Sequence, residues 1–281
     1  MPLALITGAS TGIGRATALR LARAGWSVLA GVRDPGAGER LLAEAPPGRL
    51  TAIALEVTDA GQIAAAAEHV RSHGARAGGG LDALVNNAGI GVGGPVELLG
   101  DDDLRRQFDV NVFGQIAVTR ALLPALRSAG GRIVFVSSIG GRVAMAYTAP
   151  YAASKHAIEA FADAMRVELS SSNIQVALIE PGSVATPIWD KGRGEAEGLQ
   201  IPAELQAQYG GVPAALAKAL ADTAGRGVPA ELVAETIERA LTARRMRARY
   251  LVGRDARAML FAKRLLPDRL FDRLVHRVLG V

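Results

Sequence analysis

The chain contains no cysteine, which excludes a disulfide framework, thiolate catalysis and cysteine-ligated metal. Aromatic residues are scarce at 4%, so the apolar 49% is chiefly alanine, valine and leucine, the filling of a globular α/β core. No apolar run approaches the ~18 residues that a membrane span needs. The opening Met-Pro-Leu-Ala-Leu-Ile-Thr-Gly lacks the charged region of a secretory leader, and a cytoplasmic protein is expected. No G-x-x-x-x-G-K-[ST] loop occurs, which argues against P-loop kinases and ATPases. Of the four histidines, His69 and His73 stand four apart with no third ligand in view. The pair reads as solvated helix surface, and no metal site is expected. The net charge of +5 is unevenly spread. Residues 1–238 hold 20 Lys+Arg and 24 Asp+Glu, whereas residues 239–281 hold 12 and 3. The basicity therefore belongs to the tail and is no footprint of nucleic-acid binding by the whole domain.

Glycine, by contrast, is abundant at 33 residues and clusters after apolar runs. Residues 3–7 form a short apolar run, followed by Gly8-Ala-Ser10-Thr11-Gly12-Ile13-Gly14 and then a helical pattern through Ala18, Leu19, Leu21 and Ala22. Strand, glycine turn and helix is a phosphate-binding unit, because glycines bring the backbone close to a pyrophosphate that rests on helix N-terminal amides. The same residues fit G-x-S-x-G, the nucleophile elbow of α/β-hydrolases. That elbow needs several strands before it and an acid and a histidine after it. Here it follows the first strand, and beyond residue 156 the only histidine is His276 in the tail.

Further apolar strands are expected over 27–32, 50–57, 81–85, 132–136, 174–179 and 250–252, alternating with helices. This alternation implies a doubly wound parallel sheet of about seven strands in a single domain, 1–281. A long helix is expected over about 101–127, with Asp101, Asp102 and Asp103 at its positive end. Asn111 within it is a poor helix former and invites a functional reading. Ser138 ends the run Arg-Ile-Val-Phe-Val, at a strand's carboxyl end where ligands bind in open α/β sheets. Tyr151 and Lys155 are four apart and share a helix face. A nearby ammonium favours a phenolate, so Lys155 is expected to lower the Tyr151 pKa and equip it as a proton donor and acceptor. Residues 188–228 have weak periodicity and read as a mobile substrate loop. Residues 255–281 read as a basic helical tail that packs over the substrate entrance or a partner subunit, or rests on an anionic membrane.

The ordered set Thr7…Gly14, Asn86-Asn87-Ala88-Gly89, Asn111, Ser138, Tyr151/Lys155 and Pro181-Gly182…Thr186 resembles the compact, single-domain short-chain dehydrogenase/reductase family. The surrounding text, such as Ala-Pro-Tyr-Ala-Ala-Ser-Lys-His-Ala-Ile-Glu-Ala-Phe and Ile-Glu-Pro-Gly-Ser-Val, is most similar to its retinol/hydroxysteroid-dehydrogenase-like branch. The resemblance covers roughly residues 1–190 and implies a Rossmann-type sheet with helices on both faces and a C-terminal helical extension. It implies NAD(P) bound along Gly8, Ser10, Thr11, Gly12, Ile13 and Gly14, with Glu56 and Val57 toward the adenine, Asn87 bracing the sheet beside the cofactor, and the Ala88-Gly89 backbone against the ribose. Pro181, Gly182, Val184 and Thr186 would clamp the nicotinamide. Tyr151 would exchange the proton, Lys155 would bind the ribose, Ser138 would meet the substrate, and Asn111 would hold a water that contacts the lysine. An acid near the end of strand two selects NAD, whereas an arginine accepts the 2′-phosphate of NADP. Val32-Arg33-Asp34 occupies this place, so NADP is favoured through Arg33, and Asp34 keeps NAD open. A homodimer or homotetramer is implied. The expected activity is interconversion of an apolar ketone or aldehyde and its alcohol. The competing readings are a 3-oxoacyl thioester reductase and an idle dinucleotide sensor or scaffold.

Overall fold

The structure, a computed structural model, describes residues 1–77 and 80–279. The last two positions of the expected tail lie outside the described residues. Apolar four- to seven-residue runs form the strands β1 (Leu3–Ile6), β2 (Ser27–Val32), β3 (Leu50–Ala54), β4 (Ala83–Asn86), β5 (Arg132–Val136) and β6 (Gln175–Pro181). Such runs suit a sheet buried on both faces. A short pair, β7 (Val184–Ala185) and β8 (Val228–Pro229), stands apart from the main sheet. With β9 (Arg249–Val252) the main sheet has the order β3-β2-β1-β4-β5-β6-β9, and its neighbouring strands are parallel. The order reverses between β1 and β4, so a crevice opens there beyond the strands' carboxyl ends.

Helices cover both faces. On one side lie α1 (Gly12–Arg23) and α2 (Pro35–Glu44), and on the other α3 (Ala60–Ala77), α4 (Asp101–Phe108) and α5 (Gln115–Ala129). Asp34 caps α2 by accepting from the Gly36 and Ala37 amides, with Pro35 in the first turn, a strong helix start. The expected long helix is continuous but changes pitch. Between α4 and α5, residues Asp109–Gly114 form a π-helical turn that contains Asn111. Asp101, Asp102 and Asp103 occupy the first turn of α4, where they complement the helix dipole, and Asp103 also accepts from Arg106. The helix α6 (Ala149–Glu168) carries Tyr151 and Lys155.

Two expectations need correction. The β3 strand stops at Ala54 rather than Val57, so Glu56 and Val57 sit in the turn beyond it. The expected mobile loop is largely helical, comprising α7 (Ile188–Glu197), α8 (Gln206–Tyr209) and α9 (Val212–Arg226). Packing supplies what periodicity did not reveal, because Ala196, Leu216 and Ala217 bury one another against Tyr147 and Leu220. After α10 (Ala230–Thr242) and β9 come α11 (Arg254–Leu265) and α12 (Asp268–Leu279). Phe271 and Val275 of α12 bury with Val143, joined by Ile139, Met145, Met259 and Leu266. The tail therefore packs on the segment that follows Ser138, and α12 touches α9.

Candidate active site

The crevice is a cleft of about 340 Å³ that brings together nearly every residue singled out above. Gly8, Ser10, Thr11, Gly12 and Ile13 line one end, with Arg33, Glu56, Val57, Asn87, Ala88 and Gly89 beside them. Ser138, Tyr151, Lys155, Pro181, Gly182, Val184 and Thr186 line the other end. Two candidates lie just outside the lining. Gly14 stands behind the loop, where a Cβ would overlap the Gly8 carbonyl and come within 2.5 Å of Asn87 Nδ2. Asn111 is fully buried behind the wall.

The glycine loop is built for an anion. Gly8 takes a left-handed φ of 64°, and Gly12 one of 54°, which side-chain-bearing residues adopt rarely. Thr11, at the N-cap of α1, makes no side-chain cap bond, and the first turn holds no acid. The leading amides of α1 are thus left for a ligand. The loop is braced from β4. Asn87 Nδ2 donates to the Thr7 and Gly8 carbonyls, both at 3.0 Å, and the Asn87 and Ala88 amides donate to Thr7 Oγ1 at 3.0 Å. Asn86 Nδ2 donates to Thr119 Oγ1 at 2.8 Å. Thr186 closes over the loop, since a Cβ at Gly12 would lie 3.1 Å from its methyl group. Glycine cradle, free helix amides and a long cleft fit a dinucleotide.

At the far end three side chains converge. Ser138 Oγ accepts from the Gly140 amide at 3.0 Å, which fixes its rotamer. A Cβ at Gly140 would lie 3.1 Å from Tyr151 Cε1 and 3.5 Å from Ser138 Oγ, so the glycine lets the two groups meet. Lys155 Nζ donates to the Val136 carbonyl at 2.8 Å and stands 5.8 Å from the centre of the Tyr151 ring. Burial pushes the Tyr151 phenol above its ordinary value, and the Ser138 hydroxyl pulls it partly back. The expected depression by Lys155 is therefore not what the protein alone shows. One ammonium hydrogen goes to a backbone carbonyl, and desolvation dominates at the phenol. Burial also brings Lys155 down to about 8, opposed by the charge of Glu159.

Asn111 differs from expectation in detail. Its Oδ1 accepts from the Ile90 amide at 2.8 Å, and its Nδ2 donates to the Ile90 carbonyl at 2.9 Å and to Ser154 Oγ at 3.2 Å. The side chain is a strut between the β4 loop and α6 and makes no hydrogen bond to Lys155, whose ammonium donates to Val136 instead. Gln107 braces the same loop. His69 and His73 stack at the surface of α3 with ring centroids 5.2 Å apart.

Two residues of the expected substrate segment, Ile188 and Trp189, reach the site, and one tail residue beside it escaped the sequence reading. Trp189 lines the cleft and donates from Nε1 to the Val184 carbonyl at 2.6 Å. Ile188 lines the same wall. Asp255, in the first turn of α11, accepts from the Ser183 amide at 2.6 Å and lies where a Cβ on Gly182 would collide with it. The family's Pro-Gly signature pointed to the loop but not to the tail residue that holds it.

Residues 2–197 match the short chain dehydrogenase family. Retinol dehydrogenase 5 of Mus musculus is 36% identical over 98% of this chain and 87% of its own length. The NADPH-dependent 3-dehydrocapnine reductase of Ornithobacterium rhinotracheale is 32% identical over 99% and 97%. Among solved structures, a short-chain dehydrogenase/reductase from Burkholderia phymatum in complex with NAD superposes with a TM-score of 0.79 at 27% identity, covering 94% of this chain and 92% of that one. One from Burkholderia cenocepacia in complex with NADP gives 0.72 at 25%, covering 100% and 98%. A glycine-lined crevice with a buried lysine beside a tyrosine and a serine, and relatives matched along almost the whole length, have one explanation: the chain belongs to the short-chain dehydrogenase/reductase family and is an NAD(P)-dependent oxidoreductase.

Proposed function

We propose that this protein interconverts an apolar ketone or aldehyde and its alcohol, with NADP as the preferred dinucleotide. The observation that carries the reaction is the convergence of Ser138, Tyr151 and Lys155 at the deep end of the glycine-lined cleft. The bound nicotinamide supplies or takes up hydride. Charge then develops on the carbonyl oxygen, where donors are needed. Ser138 Oγ orients that oxygen, and the Tyr151 phenol gives it a proton in reduction and removes one in oxidation. Lys155 holds positive charge beneath the phenol and holds the ribose. The apolar substrate class is supported by the surrounding walls. Ile188 and Trp189 line the cleft, and Ile139, Val143 and Met145 gather with the tail next to Ser138. A retinol dehydrogenase among the relatives is in keeping with this class.

The cofactor preference rests on Arg33 and Asp34. Asp34 is committed to capping α2 and pairs with Arg40, which removes the carboxylate that would favour NAD. Arg33 lines the cleft, exposed, 3.6 Å from Glu56, a position suited to a 2′-phosphate. NADPH is expected to raise the melting temperature more than NADH. Arg33→Ala is expected to lose ~10-fold or more of NADPH affinity, as the removal of a charge-assisted contact implies. Stronger stabilisation by NADH would overturn the preference. A panel of steroids, retinoids and aliphatic ketones tests the substrate half, which activity confined to sugars would sink.

Two further readings concern partners. Phe113, in the π-helical turn, and Phe161 and Val167, on α6, are large apolar side chains left exposed, which supports self-association through these helices. On the tail, Phe261, Leu265 and Leu270 are exposed among Arg257, Arg264 and Arg269, a pattern suited to peripheral contact with anionic lipid. Light scattering is expected to give a multiple of the 29.1 kDa chain mass, and flotation to recover the protein with anionic but not zwitterionic vesicles. A monomer that floats with neither would refute both readings.

A further inference from the structure

Beside Lys155, outside the lining of the cleft, lies a cluster of charged side chains that the reaction does not use, with Glu159 and Glu180 buried and the others partly exposed. One turn further along α6 stands Glu159, 6% exposed. Four residues apart, it shares a helix face with Lys155. Glu159 Oε2 accepts from Arg249 Nε on β9 at 3.0 Å. The same Nε lies 3.1 Å from Glu180 Oε1 on β6, and Arg249 Nη2 lies 2.6 Å from Asp163 Oδ2, a turn beyond Glu159. Arg142, in the segment after Ser138, closes on Glu180 at 3.1 Å, and Arg166 takes the other oxygen of Asp163 at 2.6 Å. Charged groups from α6, β6, β9 and the Ser138 segment thus all face Glu159 or its partners.

The second oxygen of Glu159 is different. Glu159 Oε1 is buried and lacks a well-formed hydrogen bond, and so does the buried Ser137 hydroxyl. Gly141 borders both residues. A Cβ there would lie 2.7 Å from Ser137 Oγ, 3.0 Å from Glu159 Cγ and 3.1 Å from the Lys155 carbonyl. Ser137 itself stands between Val136, whose carbonyl holds Lys155 Nζ, and the substrate-facing Ser138. A buried carboxylate oxygen met only by the Ser137 hydroxyl, short of a well-formed bond, is costly. Its retention one helical turn from a buried ammonium calls for a reason beyond packing.

We propose that Glu159 is a positioning residue for the reaction: its carboxylate, anchored by Arg249, keeps the neighbouring Lys155 side chain charged and thereby sets the alkaline limit of turnover. The inference rests on the role given to Lys155 above. Electrostatics point the same way, since Glu159 is the group that opposes the downward push of burial on Lys155. Glu159 is itself raised to about 7, by burial first and by Glu180, against Ser137 and Arg249. The informative limb of a pH profile is therefore the alkaline one. Below about 7 the carboxylate gains a proton, yet Lys155, at about 8, is already charged there. Above 8 the ammonium is lost well before the raised Tyr151 phenol gives up its proton.

The test uses Glu159→Gln, which removes the charge at nearly constant shape. The chain has four lysines, at 155, 191, 218 and 263, so the Lys155 ammonium can be followed by lysine-labelled NMR. In the variant it is expected to titrate ~1 pH unit lower, the scale on which a nearby opposite charge acts. The alkaline limb of kcat/KM for reduction is expected to move with it. Glu159→Asp, which keeps the charge but withdraws it by one methylene, shifts both less, and it serves alone if the glutamine variant does not fold. Asp163→Asn shares Arg249 but stands two turns from Lys155, and leaves both readings in place. An unmoved Lys155 titration overturns the proposal. So does an Asp163→Asn profile that shifts as far as that of Glu159→Gln, which would mark the cluster as merely structural. A titration that moves while the alkaline limb stays fixed overturns the link to turnover. The wider reading of the site fails separately, by full activity in Tyr151→Phe.

Discussion

Tyr151→Phe is expected to bind NADPH within a few-fold of wild type while turnover falls by at least ~100-fold, the lower bound for losing a positioned general acid. The substitution removes one oxygen and leaves the ring packed against Gly140, so the fold and the glycine cradle are spared. The upward push on the phenol adds a directional expectation. At neutral pH Tyr151 holds its proton, the state that reduction consumes. Alcohol oxidation needs the phenolate, so its rate is expected to climb with pH over the range in which Lys155 stays charged, whereas reduction stays level over the same range. Isothermal titration separates binding from turnover, and stopped-flow rates in the two directions test the pH slopes. Near-normal turnover in the phenylalanine variant would take Tyr151 out of the proton-transfer role.

Gly14→Ala is expected to abolish detectable dinucleotide binding. A methyl group there overlaps the Gly8 carbonyl and crowds Asn87 Nδ2 to 2.5 Å, and neither can yield. The Gly8 carbonyl belongs to the loop itself, and Asn87 is pinned by its bonds to the Thr7 and Gly8 carbonyls. Overpacking of this kind costs about 1–3 kcal/mol, so the variant folds with a lowered melting temperature and no longer responds to NADPH. Gly194→Ala is the control, because nothing lies within 4 Å of the added Cβ there. It should match wild type in binding and gain slightly in helix stability. An NADPH-induced shift in Gly14→Ala equal to that of wild type would show that the loop tolerates a side chain.

The sheet was legible because its strands are nearly continuous apolar runs such as Leu-Ala-Leu-Ile and Arg-Ile-Val-Phe-Val, bounded by glycine or polar turns. The two ends of the cleft were legible because glycine spacing and a Tyr/Lys pair four apart each carry a chemical requirement. The cap was not. In 188–228 the glycines at 192, 194 and 198 break the apolar period, and α7 and α9 are held by mutual burial that has no local signature. Direction at the site was hidden too. The sequence places Lys155 one turn from Tyr151 but does not show that Val136 takes its ammonium. It places an asparagine in a helix but does not show that Ile90 and Ser154 consume its side chain. Burial and long-range pairing decided these points, and both arise only once β4, α5 and α6 have come together.

The bond from the Ser183 amide to Asp255 joins positions 72 residues apart, and it ties the C-terminal helices to the Pro181-Gly182 corner of the cleft, the corner that would hold the nicotinamide in the function proposed above. A chimera that borrows another relative's last thirty residues to change substrate preference would also loosen the Pro181-Gly182 corner, and stereochemical purity of the product would erode together with specificity. Engineers who graft this region should carry the aspartate across with it.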